Sequence, residues 1–204
     1  MTPATHRRLG AADPVMAKLI ARLGPCPIRP QKDCEPFETL VRAIVHQQLS
    51  TKAASTIHGR VLGMFRGASH PTPRQLLRKD ETALRGAGLS RNKIAAIKDL
   101  ARSTLDGVVP TRAECDRLDD ETLIERLTAV RGVGRWTAGM FLIATLARPD
   151  VLAVADLGLR KGAQRAYALR ATPSPDELRT LGERWRPYRT TASWYLWRLL
   201  DAPA

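Results

Sequence analysis

The 204-residue chain is poor in cysteine, in aromatic residues and in acidic charge, and it contains no long apolar run. No stretch approaches the roughly 18 apolar residues of a bilayer-spanning helix, so no membrane partner is expected. The opening residues, MTPATHRRLGAADPVMAKLIARLG, lack the uninterrupted apolar core of a secretory signal. A cytoplasmic protein, nucleoid-associated if bacterial, is expected. Cys26, Cys34 and Cys115 are odd in number and lack CxxC spacing. They fit neither a disulfide framework nor, by themselves, a metal cage, and reduced thiols are the plain reading. There is no low-complexity segment and no period of 20–50 residues, which argues against a repeat architecture. Against 20 Asp+Glu stand 33 Lys+Arg, a formal net charge of +13 spread along the chain. Such an excess favours a polyanionic partner, nucleic acid before an anionic membrane.

What is present reads as helix nearly throughout. A hydrophobic fraction of 44% is ample for one mid-sized domain or two small lobes sharing a core. Asp13-Pro14 has the form of an N-cap with proline in the first turn, and Met16, Leu19, Ile20 and Leu23 follow as one stripe. The Pro-rich connector GPCPIRPQKDCEP ends that helix. Phe37, Leu40, Val41, Ile44 and Val45 then recur at helical spacing, and Ser50 can cap the next helix. Further starts fall at Thr72-Pro73, Ser90, Asp119 or Asp120, and Ser174-Pro175-Asp176-Glu177. The one β-like run, DVLAVAD, is too short to imply a sheet. The spacing therefore predicts an all-α fold of about ten helices.

The stretch RGVGRWTA at 131–138 interrupts this pattern. A helix ends near Val130, a tight turn passes through Gly132-Val133-Gly134, and a new helix opens at Arg135–Thr137. Glycine permits positive φ and a close backbone approach. The turn's amides and the new helix's first N–H groups form a seat for a phosphate oxygen. Arg135 and the Thr137 hydroxyl can add contacts to the same strand, which reads backbone rather than sequence. The bland alternative is a packing corner between two helices, with glycine as a C-cap.

RGVGRWTA followed by VLAVADLGLRKG resembles the helix–hairpin–helix and Gly/Pro-Asp motif of the HhH-GPD DNA glycosylase superfamily, within it the DNA-3-methyladenine glycosylase II type. The likeness extends back to FETLVRAIVHQQLSTKAA and forward through ERWRPYRTTASWYLWRLL, about 80% of the chain. It implies two helical lobes flanking a central cleft. Residues 1–39 and 147–204 would carry the catalytic aspartate, and residues 40–146 the hairpin. The extra N-terminal β domain of larger members is not expected, since too few residues precede Phe37. The resemblance implies a monofunctional hydrolase of base-excision repair, acting on alkylated purines in double-stranded DNA and working as a monomer. Two alternatives stay open: a non-catalytic hairpin module, and a glycosylase for uracil, mismatched or oxidised bases.

By the same resemblance Asp156 is the catalytic carboxylate, although its local sequence alone favours the N-cap of the next helix; an aspartate can do both. Breaking a deoxyribose C1′–N bond leaves an oxocarbenium-like sugar, which a fixed anion stabilises. Many members have two adjacent aspartates here; this chain has Ala155-Asp156. Bifunctional members carry a lysine nucleophile where Trp136 stands, so no Schiff base and no lyase step are expected. Trp136, Met140 and Trp197 would line the base pocket, while Trp185 and Trp194 read as core. Gln48 falls at the position of the side chain that fills the gap left by a flipped base, with Leu49 and Ser50 beside it; QQLS also reads as a polar helix end with a Ser cap. No cofactor is expected, and the four-cysteine iron–sulfur motif is absent. The carbonyls of Thr128, Val130 and Val133 are implied as ligands of Na+ or K+.

Overall fold

The computed structural model describes residues 1–31, 34–65 and 70–201. Lys32 and Asp33 of the Pro-rich connector lie outside the described residues. Among the described residues every regular element is helical, and DVLAVAD forms no strand. Its backbone is taken up by short-range turns instead: the Val154 amide donates to Leu152 O and the Asp156 amide to Ala153 O.

Thirteen α-helices and one 3₁₀ turn are described, more than the ten or so predicted. The excess comes from short helices and from α1 (Pro3–Ala12), which the sequence reading passed over. It opens on Thr2-Pro3, a cap whose hydroxyl accepts the Thr5 amide followed by proline in the first turn, but its apolar stripe is interrupted by the buried His6. Burial lowers the His6 pKa, and its Nε2 accepts the Cys26 amide. A histidine used as a core acceptor leaves no periodic signature.

The chain divides into two compact units, Met1–Gln31 with Leu142–Ala204, and Lys32–Phe141. In the first unit α1, α2 (Pro14–Leu23), α11 (Leu157–Ala166) and α13 (Arg189–Asp201) enclose Leu9, Met16, Leu159, Trp185, Tyr195 and Leu196. In the second, α7 (Arg91–Leu105) packs against α3 (Pro36–His46) and α5 (Pro73–Arg78). Leu40, Ile44, Ile97 and Leu100 are fully buried there. α4 (Thr51–Leu62), α6 (Glu81–Gly86), α8 (Arg112–Cys115), α9 (Asp120–Thr128) and most of α10 (Arg135–Ala144) complete that unit.

The caps fall where the sequence places them. Ser50, Ser90 and Asp119 each accept an amide at N3, and Ser174 forms a full capping box at the start of α12 (Pro175–Gly182). Each cap is worth about 1 kcal/mol against alanine.

Candidate active site

The glycine turn joins α9 to α10 (Arg135–Ala144) within the second unit. The Val133 amide donates to Val130 O at 3.1 Å, which closes the corner. Gly132 has φ +80, and a Cβ there would lie 2.9 Å from the Ala96 Cβ. Both the backbone conformation and the approach of α7 thus require glycine at 132. Gly134 differs: no heavy atom lies within 4 Å of where its Cβ would be. The fold has no packing need for glycine at 134, and the open space fits a surface meant to be approached from outside.

Two residues that the sequence reading did not single out strap this corner in place. Gln47, just after α3, donates from Nε2 to Gly132 O at 2.9 Å and reaches Thr137 Oγ1 at 3.4 Å. Lys93 Nζ donates to Val45 O and Gln47 O, at 2.7 and 2.8 Å, and so satisfies the last carbonyls around the end of α3. Burial pushes the Lys93 pKa down. The Arg131 amide is held by Asp99 Oδ2 at 2.9 Å. Thr137 is buried, so its hydroxyl belongs to the inside of the corner rather than to its outer surface.

Gln48 follows at φ +55 and is exposed, with Leu49 40% exposed beside it and Ser50 capping α4. A glutamine in the left-handed region is uncommon, and such strain collects at functional positions. A groove of about 400 Å³ runs past Gln48, Lys93, Arg131 and Gly132. Arg135 makes a forked ion pair with Glu121, at 2.8 and 3.1 Å, on an exposed surface. Such a pair adds little stability, so the guanidinium can exchange its partner for a phosphate. Trp136, in the first turn of α10, is 45% exposed, which is unusual for so large an apolar ring. Met140 is half-buried and Val133 buried.

Asp156 lies in the first unit, and several contacts fix the segment that leads to it. Arg189, at the start of α13, grips Asp150 with Nε on Oδ1 at 2.8 Å and Nη2 on Oδ2 at 3.1 Å. Thr190 Oγ1 accepts the Val151 amide at 3.1 Å and donates to Arg148 O at 2.5 Å. The chain is therefore anchored on both sides of Pro149 before it reaches Asp156. Asp156 is the N-cap of α11: its Oδ1 accepts the Leu159 amide at 2.6 Å. The same oxygen accepts the indole N–H of Trp197 at 2.8 Å. The carboxylate is half-buried, at the positive end of the helix dipole. Capping and chemistry are compatible roles for it. Trp185 is fully buried, as its sequence context suggests, and Trp194 is half-buried against the same core.

A helix–hairpin–helix corner, followed on the chain by a half-buried aspartate at a helix N-cap, is the arrangement of one repair-enzyme class. The chain belongs to the HhH-GPD superfamily of base excision DNA repair proteins, whose family model matches residues 41–187. It is 40% identical over 172 residues to DNA-3-methyladenine glycosylase 1 of Schizosaccharomyces pombe, covering 84% of this chain and 75% of that protein. Among solved structures it is similar to the S. pombe 3-methyladenine DNA glycosylase in complex with abasic DNA. That match has a TM-score of 0.86 at 36% identity, over 98% of this chain and all of that one. A DNA-3-methyladenine glycosidase from Bacillus halodurans matches equally well, at TM-score 0.86 and 38% identity, over 97% of this chain and 88% of that one.

Proposed function

We propose that the protein is a monofunctional DNA glycosylase that hydrolyses the N-glycosidic bond of alkylated purines in duplex DNA, as the first step of base-excision repair. The observation that carries this reading is the Asp156 carboxylate, held by two N–H donors on one oxygen at the head of α11. The names of the similar proteins supply the lesion class, since they are 3-methyladenine glycosylases.

The chemistry follows from the residues. An alkylated purine carries positive charge and leaves with the electron pair of the glycosidic bond, so it departs neutral and needs little acid help. The sugar becomes oxocarbenium-like, and the fixed anion of Asp156 opposes that charge. Water adds to C1′ and gives its proton to the carboxylate or to solvent. Trp136 stands where a Schiff-base lysine would be needed, so the product is an intact abasic site. Trp136 is 45% exposed, and an indole face suits a cationic base, an attraction of about 0.5–2 kcal/mol.

On the DNA side, the amides of the Gly132–Gly134 turn and Arg135 take strand phosphates, while Gln48 and Leu49 enter the gap left by the flipped base. Thr128 is the last residue of α9, at its negative end, and Val130 and Val133 follow in the turn; carbonyl oxygens of these residues are donors that suit Na+ or K+. Val130 O keeps a second lone pair beside the one given to the Val133 amide. The protein acts as a monomer in this scheme.

The test is to incubate wild type and Asp156→Asn with methylated duplex DNA and to identify the released bases. Asparagine has an oxygen to serve both donors, so it removes the charge and keeps the cap. Wild type is expected to free methylpurines and leave unbroken abasic strands. The variant should bind DNA normally and excise at a rate lower by about a hundredfold or more. Absence of methylpurine release by wild type overturns the reading. Borohydride trapping of a protein–DNA adduct overturns its hydrolytic form.

A further inference from the structure

We infer that Trp197 is a positioning residue for this hydrolysis, and that it works through its indole N–H rather than through the face of its ring. The inference rests on the reading of Asp156 given above. An N-cap aspartate with one donor holds its carboxylate only along the helix that it caps. Here a second donor arrives from a different helix and meets the same oxygen: Trp197 Nε1 at 2.8 Å, beside the Leu159 amide at 2.6 Å. The carboxylate cannot swing about its Cα–Cβ or Cβ–Cγ bonds without losing one of them.

The packing of α11 on α13 is built for this contact. A Cβ at Gly162 would lie 2.4 Å from Leu196 O and 2.8 Å from its carbonyl carbon, so the helices touch backbone to backbone there. One turn earlier, a Cβ at Gly158 would lie 3.1 Å from Asp156 Oδ1 and 3.5 Å from Trp197 Cδ1. Gly162 sets the helix separation, and Gly158 keeps clear the space through which the indole reaches the carboxylate. Trp197 is itself packed against the core of its unit, and the start of α13 is tied down by Arg189 and Thr190. The N–H is thus delivered from a rigid base. Such rigidity matters because a displacement of about 1 Å at a reacting group costs on the order of a hundredfold in rate.

Trp197→Phe separates the two roles, since phenylalanine keeps a flat ring and loses the donor. The readouts are the single-turnover excision rate on methylated duplex and the affinity for duplex carrying a tetrahydrofuran abasic analogue. The expected result is a rate lower by about tenfold to a hundredfold at unchanged affinity. In the Asp156→Asn background the same substitution should cost little more, because the charge to be positioned has gone. Gly158→Ala gives an independent arm that leaves Trp197 and the charge intact. Its methyl crowds Oδ1, and it should lower the rate while affinity holds. Full activity of Trp197→Phe, or weakened affinity at an unchanged rate, overturns the positioning role. If Trp197→Phe is too unstable to assay, the Gly158→Ala rate decides: a wild-type rate there overturns the proposal. Wild-type protein that releases no methylpurine sinks the glycosylase reading itself, so the two failures are distinguishable.

Discussion

Two glycines one residue apart in the hairpin do different things. Gly132 is held by the fold, through φ +80 and the nearby Ala96 Cβ. At Gly134 a Cβ would meet open space, so packing inside the molecule does not require glycine there. Gly132→Ala should therefore cost about 1–2 kcal/mol from the left-handed backbone alone, with more from the Ala96 clash. Gly134→Ala should leave the unfolding midpoint in place and, on the proposed reading of the hairpin as the phosphate seat, weaken DNA binding several-fold, because its new methyl projects into open space at that seat. Urea denaturation and a DNA titration on both variants check this. Equal loss of stability in the two would mean that the turn is only a packing corner.

At the scale of elements, buried polar networks determine which helix ends meet. Asp13 is 1% exposed and caps α2, with Oδ1 accepting the Val15 amide at 2.8 Å and the Met16 amide at 3.3 Å. Its Oδ2 accepts the Tyr167 hydroxyl at 2.5 Å and the Trp185 indole N–H at 3.1 Å. Burial pushes the Tyr167 phenol pKa well above its usual range, so it remains a donor. Asp13→Ala removes a cap and strands buried donors, at a cost of about 3 kcal/mol. Denaturant unfolding should show that loss, while excision per folded molecule stays at the wild-type level. A variant as stable as wild type would mean that these donors find other acceptors. The cap at Asp13-Pro14 was legible from two adjacent residues. Tyr167 and Trp185 were not, because they are 154 and 172 residues away along the chain.

Across the whole molecule, histidine burial sets a pH dependence. Burial lowers the pKa of His6, His46 and His58; for His58, the neighbouring His46, Arg42 and His70 lower it further. The rings of His46, His58 and His70 stand in a row, with centroid separations of 6.0 and 6.4 Å. The unfolded chain therefore binds protons more readily than the folded one. Stability from this source is complete above about pH 6.5 and is lost as pH falls toward the depressed folded values. The melting temperature should drop between about pH 7.5 and 5.5, and His58→Asn should flatten that slope. A flat or rising profile over that range would contradict the assignment. No described helix is long and apolar enough to cross a membrane.

Short-range chemistry determined what the sequence alone could show. Caps, helical periodicity and the Gly-Val-Gly corner depend on residues three or four apart, so all-α architecture, hairpin and helix starts could be read directly. Asp156 was legible locally as a helix N-cap, and its catalytic role only as what the family resemblance implies; its indole partner was not legible at all. Trp197 is 41 residues further on, and Gln47 lies 85 residues before the Gly132 carbonyl that it clamps. Helical periodicity says which face of a helix is buried, not which neighbour that face meets or where an N–H will point. Those outcomes depend on how closely α11 and α13 approach, and the tertiary packing at Gly158 and Gly162 decided that.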